Sequence, residues 1–129
     1  MSTTTDQHNL QNEMINLLQR HRSIRKFTEQ PLSKEQIESI ISSAQMASTS
    51  SHVQAYTILG ITDREKKKKL AEYAGDQAYV ETCAHFLVFC ADLYRLRKVV
   101  EKEGQDIRSN LDYTEMFIVA TVDAALAAQ

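Results

Sequence analysis

The sequence has 129 residues, 43% of them apolar and 25% charged, and these are the fractions of one compact globular domain rather than of a disordered or fibrous chain. Its formal net charge of −2 provides no field that would attract a polyanion, which argues against a nucleic-acid partner. One proline and three glycines are too few turn residues for a β-sandwich or barrel. We therefore expect helices to dominate.

The cysteines and the N-terminal sequence indicate the cellular compartment of the protein. Cys83 and Cys90 form no CxxC pair and belong to no Cys/His cluster, and the chain does not open with the charged-then-apolar pattern of a signal peptide. The longest apolar run, 116–128, is interrupted by Asp123 and is shorter than the roughly 20 residues that a membrane span needs. We predict a cytoplasmic protein with two reduced core thiols and no membrane contact.

Apolar periodicity predicts a helix near the start of the chain. The residues at the spacing of one buried helix face are Leu10, Met14, Leu17 and Leu18. The helix should end near Arg20, and residues 1–7, which lack the pattern, are expected to fray. Pro31 prevents a helix from continuing through Gln30, so the polar and basic stretch 21–27 should be a loop or a short extended segment.

The middle of the chain predicts a helix, a strand and a second helix. A helix that ends near residue 46 or 47 begins at the capping box formed by Ser33 and Gln36. A strand follows at 54–61. The next helix is capped by Asp63 and closed by Gly75, and its lysines should face solvent.

The last part of the chain predicts a strand and two helices. The continuous apolar run 84–91 is typical of a strand covered on both faces by helices, and Asp92 should cap a helix that Gly104 stops. The final helix, from about Ile107 or Asn110, is apolar nearly all round after residue 116, so it should lie in a core or an oligomer interface. Its end carries no capping residue and two strands are too few for a stable sheet, so we expect carboxy-terminal sequence to be missing.

The segment 21–27, His-Arg-Ser-Ile-Arg-Lys-Phe, concentrates groups that bind phosphate. Guanidinium forks bind phosphate oxygens bidentately, and Ser23 can add a neutral hydrogen bond. In an extended segment alternate residues project to one side, so Arg25 would join Ser23. Many basic runs are only solvated loops, but here a second polar loop, 47–54, directly precedes a strand, a position that suits a cofactor.

The same segment resembles the N-terminal flavin-phosphate motif of the NADPH-dependent flavin and nitro reductases, the nitroreductase superfamily with its oxygen-insensitive nitroreductase A group. Four further stretches resemble this family in the same order, namely 44–54, 74–80, 89–92 and 123–129. The ordered agreement extends from about residue 10 to residue 129, which corresponds to the N-terminal half of such a protein. It is more specific than any single motif.

The resemblance implies an α+β fold, a sheet flanked by helices, within a single partial domain at 1–129. It also implies that two protomers interlock as a homodimer with FMN at each end of their interface. His21, Arg22, Ser23 and Arg25 would hold the phosphate and ribityl chain. The other implied cofactor-binding residues are Thr49 and Ser51 along the flavin and Gln77 and Tyr79 near the ribityl chain or ring.

The implied reaction is a ping-pong transfer of hydride from NADPH or NADH through FMN to an electron-poor small molecule such as a nitroaromatic, a quinone or free flavin. The flavin carries this chemistry, so we expect no catalytic residue in the chain. The family's downstream glycine-containing segment and the basic residues that complete the phosphate and nicotinamide sites are not present in the sequence. The alternative is a non-catalytic helical binding or regulatory module whose basic loop, 21–26, binds a phosphate-bearing ligand or partner.

The remaining polar residues favour structural interpretations. The lysine run 66–69 is flanked by glutamates and predicts a solvated helix face. His8, His21, His52 and His85 lack the spacing of a metal site. His85, in the predicted buried strand, should be a hydrogen-bonded core histidine.

Overall fold

The computed structural model describes residues 12–105 and 110–129. The predictions that residues 1–7 fray, that Leu10 belongs to the first helix face and that the last helix begins at Ile107 lie outside the described residues. Helices predominate in the described part and accompany a small sheet, so the predicted α+β fold is confirmed.

The elements follow the predicted order with one addition. They are α1 (Glu13–Gln19), α2 (Lys34–Gln45), β1 (Tyr56–Ile61), α3 (Arg64–Tyr73), α4 (Ala78–Thr82), β2 (Phe86–Ala91), α5 (Tyr94–Lys102) and α6 (Thr114–Ala128). A tight turn at Ser50–His52 precedes β1, and a single turn of 3-10 helix at Asn110–Asp112 precedes α6. The sequence did not predict α4, because five residues are too few to display an apolar period.

Local capping chemistry sets the helix boundaries as predicted. The Ser33 hydroxyl accepts a hydrogen bond from the Gln36 amide at 3.2 Å, and the Gln36 side-chain oxygen accepts one from the Ser33 amide at 2.9 Å. At the start of α3, Asp63 Oδ1 accepts a hydrogen bond from the Lys66 amide at 2.8 Å. Gly75 follows α3 with a φ of +81°, a left-handed conformation that glycine adopts without a steric penalty.

The sheet and helix α6 form the centre of the molecule. Strands β1 and β2 pair antiparallel, with Tyr56 opposite Ala91 and Ile61 opposite Phe86. Helix α6 packs across both strands, and α2 packs against α6. Small side chains on α6 allow this close approach. A cluster of buried side chains at this centre consists of Ala44, Tyr56, Ala124 and Ala127.

Two burial predictions were wrong. Met14, Leu17 and Leu18 of α1 are exposed by 63 to 68%, because no other part of the described chain covers the apolar stripe of this helix. Strand β2 is half-buried rather than covered on both faces, since α6 packs on one face of a sheet that has two strands in the described part. The apolar run 84–91 therefore predicted the strand correctly and its surroundings incorrectly.

Helix α6 has two different faces. Its core face is buried, whereas Ile118, Val122 and Leu126 on the outer side are exposed by 55%, 49% and 45%. Phe117, near the start of the helix, is exposed by 65%. The prediction that the whole helix is enclosed thus holds for one face within this chain. Among the described residues, no helix combines the length and the apolar character that crossing a bilayer requires.

Candidate functional site

The basic loop, residues 21–27, has no regular secondary structure, as predicted, and it is exposed along its whole length. It continues directly from α1, where the His21 amide donates a hydrogen bond to the Leu18 carbonyl oxygen at 3.1 Å. Within the described part of the chain, no carboxylate forms an ion pair with Arg22 or Arg25. Their guanidinium donors are therefore accessible to a ligand.

Contacts at both ends hold the basic loop to the rest of the molecule. The ring centroid of Phe27 lies 5.9 Å from that of Tyr79 in α4, with the planes inclined by 49°. At the other end, Nε2 of Gln129 lies 3.4 Å from Nδ1 of His21. The loop is thus positioned between α4 and the end of α6.

The chain after the basic loop is fixed by His85. The Leu32 amide donates a hydrogen bond to Nδ1 of His85 at 3.3 Å, and the histidine is half-buried immediately before β2. The prediction of a hydrogen-bonded histidine is confirmed, although His85 lies one residue outside the strand.

The segment around α4 contains the predicted residues Gln77 and Tyr79, of which Tyr79 contacts the basic loop. Gln77 is the N-cap residue of α4, and its amide donates a hydrogen bond to the Ala71 carbonyl oxygen at 3.2 Å. Both Gln77 and Tyr79 are half-buried, and the Tyr79 ring contacts Phe27. Two of the predicted cofactor segments are therefore in direct contact.

The lysine run of α3 contains one residue that sequence reasoning placed wrongly. Lys67 is only 6% exposed, and its ammonium group donates a hydrogen bond to the Cys83 carbonyl oxygen. The other lysines of the run are exposed, as predicted. Lys67 faces inward because it lies on the same helix face as Leu70 and Ala71. It joins α3 to the end of α4, the helix that contacts the basic loop.

The cysteines are structural residues in the described chain. Cys83 is 8% exposed and follows α4, and its thiol lies within hydrogen-bond distance of the Val80 carbonyl oxygen at 3.3 Å. Cys90 is half-buried in β2, and neither cysteine forms a disulfide. Within residues 12–105 and 110–129, no three His, Cys, Asp or Glu side chains form a group that could hold a metal ion.

The Ser/Thr loop, residues 48–55, has an unusual backbone. Ser51, His52 and Gln54 have φ values of +49°, +57° and +50°. A left-handed conformation costs a residue other than glycine roughly 1 to 2 kcal/mol, so the surrounding structure must hold this loop in place. Within it, the predicted site residue Thr49 is half-buried and Ser51 is exposed.

Asp123 of α6 holds the Ser/Thr loop. The side chain is 1% exposed, and its Oδ1 and Oδ2 accept hydrogen bonds from the amides of Ser50 and Ala55, each at 3.1 Å. In the sequence, Asp123 was noticed chiefly as a break in an apolar run. The signal that would have revealed its role is its position on the same helix face as Ala120, Ala124 and Ala127.

The exit of the Ser/Thr loop is attached to the start of α5. Arg95 donates a hydrogen bond to the Gln54 carbonyl oxygen. Asp92, predicted as a cap of α5, accepts a hydrogen bond from the Arg95 amide at 3.1 Å and another from the Thr57 hydroxyl. The Thr57 hydrogen bond above all, with those from nearby amides, lowers the pKa of Asp92 below its usual value, and burial partly opposes this.

A cavity of about 340 Å³ lies between the Ser/Thr loop and the outer side of α6. Its lining includes Ser48, Thr49, Ser50, Ile118, Val122 and Leu126. Most of the cavity surface is apolar, and α6 supplies Ile118, Val122 and Leu126, so the cavity suits an apolar ligand surface such as the face of an aromatic ring.

Helix α6 is the element that connects the two loops. It holds the Ser/Thr loop through Asp123, and Gln129 at its end reaches His21 of the basic loop. Since six residues separate these two positions, the attachment points are roughly 9 Å apart along the helix axis. Among the described residues, no hydrogen bond joins the two loops directly.

Comparisons with known proteins support the resemblance seen in the sequence. The family model described as the nitroreductase family matches residues 18–128. Among curated proteins, the FMN reductase (NADPH) of Bacillus subtilis is 54% identical over 118 residues, which are 92% of this chain and 47% of that protein.

Solved structures share the fold. NfrA1 of B. megaterium superposes with a TM-score of 0.86 at 54% identity, over 92% of this chain and 48% of that one. The NADPH:FMN oxidoreductase of Vibrio harveyi, complexed with NAD⁺, gives a TM-score of 0.81 at 42% identity, over 92% of this chain and 49% of that one. The chain thus spans about half the length of these relatives, and the predicted resemblance is confirmed.

Proposed function

The chain belongs to the nitroreductase family, and from this premise we propose that it carries the flavin-phosphate half of an FMN-dependent oxidoreductase. The enzyme passes hydride from NADPH or NADH to electron-poor small molecules, namely nitroaromatics, quinones or free flavin. The relatives named FMN reductase (NADPH) and NADPH:FMN oxidoreductase support this cofactor and this electron donor. The observation that carries the proposal is the Phe27–Tyr79 contact, which joins the basic loop to a second predicted cofactor segment.

The donor set of the basic loop fits the phosphate end of FMN. Arg22 and Arg25 supply planar, permanently charged forks that match phosphate oxygens, and Ser23 supplies a neutral donor. His21 completes the set. If Gln129 donates to Nδ1 of His21, the opposite ring nitrogen carries the hydrogen and is available to the phosphate.

The remaining proposed contacts lie along the rest of the flavin. Gln77 and Tyr79 offer an amide and a hydroxyl to the ribityl chain or ring edge, and Thr49 and Ser51 offer hydroxyls to the flavin, from this protomer or its partner. Bound FMN supplies the hydride-accepting ring. The chain's own residues bind and orient the cofactor and leave one face of its site open to small molecules.

The outer face of α6 supports a homodimer. Ile118, Val122 and Leu126 form an exposed apolar surface along the cavity at the Ser/Thr loop, and Phe117 is exposed on another side of the same helix. Such a surface marks an interaction site because apolar area in water is unfavourable. We expect dimers at micromolar concentration by light scattering. A monodisperse monomer would exclude this interface.

Flavin retention tests the binding half of the proposal. The 129-residue chain is incubated with FMN and desalted, and its absorbance spectrum is recorded. We expect the flavin bands to remain with the protein. A colourless protein would contradict the proposal that these residues hold the cofactor.

Charge variants test the assignment of the phosphate site. We expect Arg22→Ala with Arg25→Ala to weaken FMN binding about a hundredfold, because two charge-assisted contacts are lost and each is worth roughly 1.5 kcal/mol. The control, Lys68→Ala with Lys69→Ala, removes the same charge from exposed positions of α3 and should leave the dissociation constant unchanged. Equal FMN affinity in both double variants would instead favour the binding-module alternative.

Initial rates test the reaction scheme. With FMN bound, NADPH oxidation at several acceptor concentrations should give parallel lines in double-reciprocal plots, the pattern of a ping-pong reaction. Intersecting lines would show that both substrates bind before reaction and would rule out this scheme.

A further inference from the structure

Asp123 is a charged residue in the most enclosed part of the molecule. It lies on the core face of α6 between Ala120 and Ala124, and it is the largest side chain in the described chain that is less than 2% exposed. Burial of a carboxylate is costly unless its oxygens accept hydrogen bonds. This residue therefore needs partners, and those it has are both in the Ser/Thr loop.

The two hydrogen bonds enclose the strained part of that loop. Oδ1 accepts from Ser50 and Oδ2 from Ala55, each at 3.1 Å. The residues between these two amides include the left-handed Ser51, His52 and Gln54. One carboxylate thus fixes the distance between the start and the end of a backbone segment that would relax to more favourable angles if it were released.

We propose that Asp123 is a positioning residue of the flavin site. It holds the Ser/Thr loop in its binding conformation before the cofactor binds. This inference rests on the function proposed above. A loop already held in its bound conformation loses little conformational freedom on binding, and affinity rises accordingly. Asp123 acts on the loop through the backbone amides of Ser50 and Ala55.

The asparagine variant separates this role from packing. Asp123→Asn keeps the shape of the side chain but has one acceptor oxygen, and its NH₂ group would face one of the two amide donors. One end of the loop should therefore be released. The control Glu115→Gln makes the same chemical change at an exposed position in the first turn of α6.

Two readouts test the inference in the 129-residue chain. Without any flavin, amide hydrogen exchange at Ser50 and Ala55 measures how firmly the two ends of the loop are held. FMN titration measures the effect of this on flavin affinity. In Asp123→Asn we expect about tenfold faster exchange at one or both amides and an FMN dissociation constant raised about tenfold, the size expected for losing one hydrogen bond to a charged group. Glu115→Gln should change neither quantity.

A third variant excludes a general loss of stability as the cause. Leu70→Ala removes half-buried apolar contacts in α3, and no hydrogen bond connects that residue to the Ser/Thr loop. It should lower the urea midpoint while leaving the FMN dissociation constant unchanged at urea concentrations where the chain is folded. A dissociation constant that rises equally in Leu70→Ala and Asp123→Asn would overturn the positioning role.

The other outcomes are also decisive. Unchanged amide hydrogen exchange in Asp123→Asn would overturn the claim that Asp123 holds the loop. Faster exchange with an unchanged FMN dissociation constant would overturn the claim that this hold strengthens flavin binding. Failure of the wild-type chain to bind FMN would contradict the proposed function and the flavin role of Asp123. In that case, the exchange data would still decide whether the carboxylate holds the loop.

Discussion

The two loops that are proposed to bind the flavin are held in different ways. The Ser/Thr loop is attached by both ends to a buried carboxylate, and its backbone adopts left-handed angles at three positions other than glycine. The basic loop is exposed throughout, and the side-chain contacts described for it are one aromatic pair and one contact between His21 and Gln129. Substitutions that release the first loop should therefore also affect folding, whereas those in the second should affect ligand binding with little effect on folding.

The largest expected effect comes from removing the acceptor of the Ser/Thr loop. Asp123→Ala leaves the buried amide of Ala55 and the part-buried amide of Ser50 without their partner, and we expect the free energy of unfolding to fall by about 3 kcal/mol. Urea denaturation measures this. Arg22→Ala with Arg25→Ala should shift the same quantity by less than about 0.5 kcal/mol, because both side chains are exposed. Similar losses in the two proteins would remove the contrast between the loops.

A smaller effect is expected at the support of the basic loop. Lys67→Ala removes the hydrogen bond to the Cys83 carbonyl oxygen and the packing of a buried aliphatic chain, so it should destabilise the protein by about 2 kcal/mol. Lys68→Ala, one position away on the exposed face, should cost less than about 0.5 kcal/mol. Equal urea midpoints for the two variants would mean that Lys67 is solvated like its neighbours.

The aromatic contact of the basic loop is expected to contribute about 1 kcal/mol, the usual value of such a pair beyond its buried area. Phe27→Ala should accordingly loosen the loop, and trypsin should cleave after Arg22, Arg25 or Lys26 several-fold faster than in the wild type. Tyr73→Ala, which removes an aromatic ring that is 83% exposed, is the control. Identical digestion rates for wild type and Phe27→Ala would show that the pair does not restrain the loop.

The smallest effect concerns pH and the exit of the Ser/Thr loop. The Thr57 hydroxyl above all lowers the pKa of Asp92 in the folded protein, so its contribution to stability is present above the unfolded pKa of about 3.9 and is lost as pH falls through the lower folded value. Unfolding curves from pH 5 to pH 2 should therefore be less steep in pH for Thr57→Val than for the wild type. An unchanged pH dependence would contradict the role of this hydrogen bond.

The sequence predicted the elements better than their environments. Capping by Ser33, Asp63 and Gly75 is encoded locally, so the ends of α2 and α3 could be predicted from a few neighbouring residues. The antiparallel pairing of the strands and the exposure of α1 depend on which element lies opposite, and a periodic pattern does not contain that information. The apolar stripe of α1 predicted a helix but not a partner for it.

The candidate site shows the same limit. The basic and Ser/Thr segments were identified from residue types, because phosphate and flavin recognition need guanidinium and hydroxyl groups close together in the chain. Asp123 and Lys67 were assigned no such role, because each acts on a backbone segment distant in sequence. A charged residue within an apolar helix face was the available sign in both cases, and it indicates a buried partner without saying which one.

The central claim is that the basic loop binds the phosphate while the Ser/Thr loop lines the ring. Comparing FMN with riboflavin, which lacks the phosphate, tests it directly through amide chemical shifts of the 129-residue chain. We expect FMN to shift amides at 21–25, 49–51 and 77–79, and riboflavin to shift the last two groups but not the first. Equal shifts at 21–25 with both ligands, or shifts confined to α3, would contradict the account.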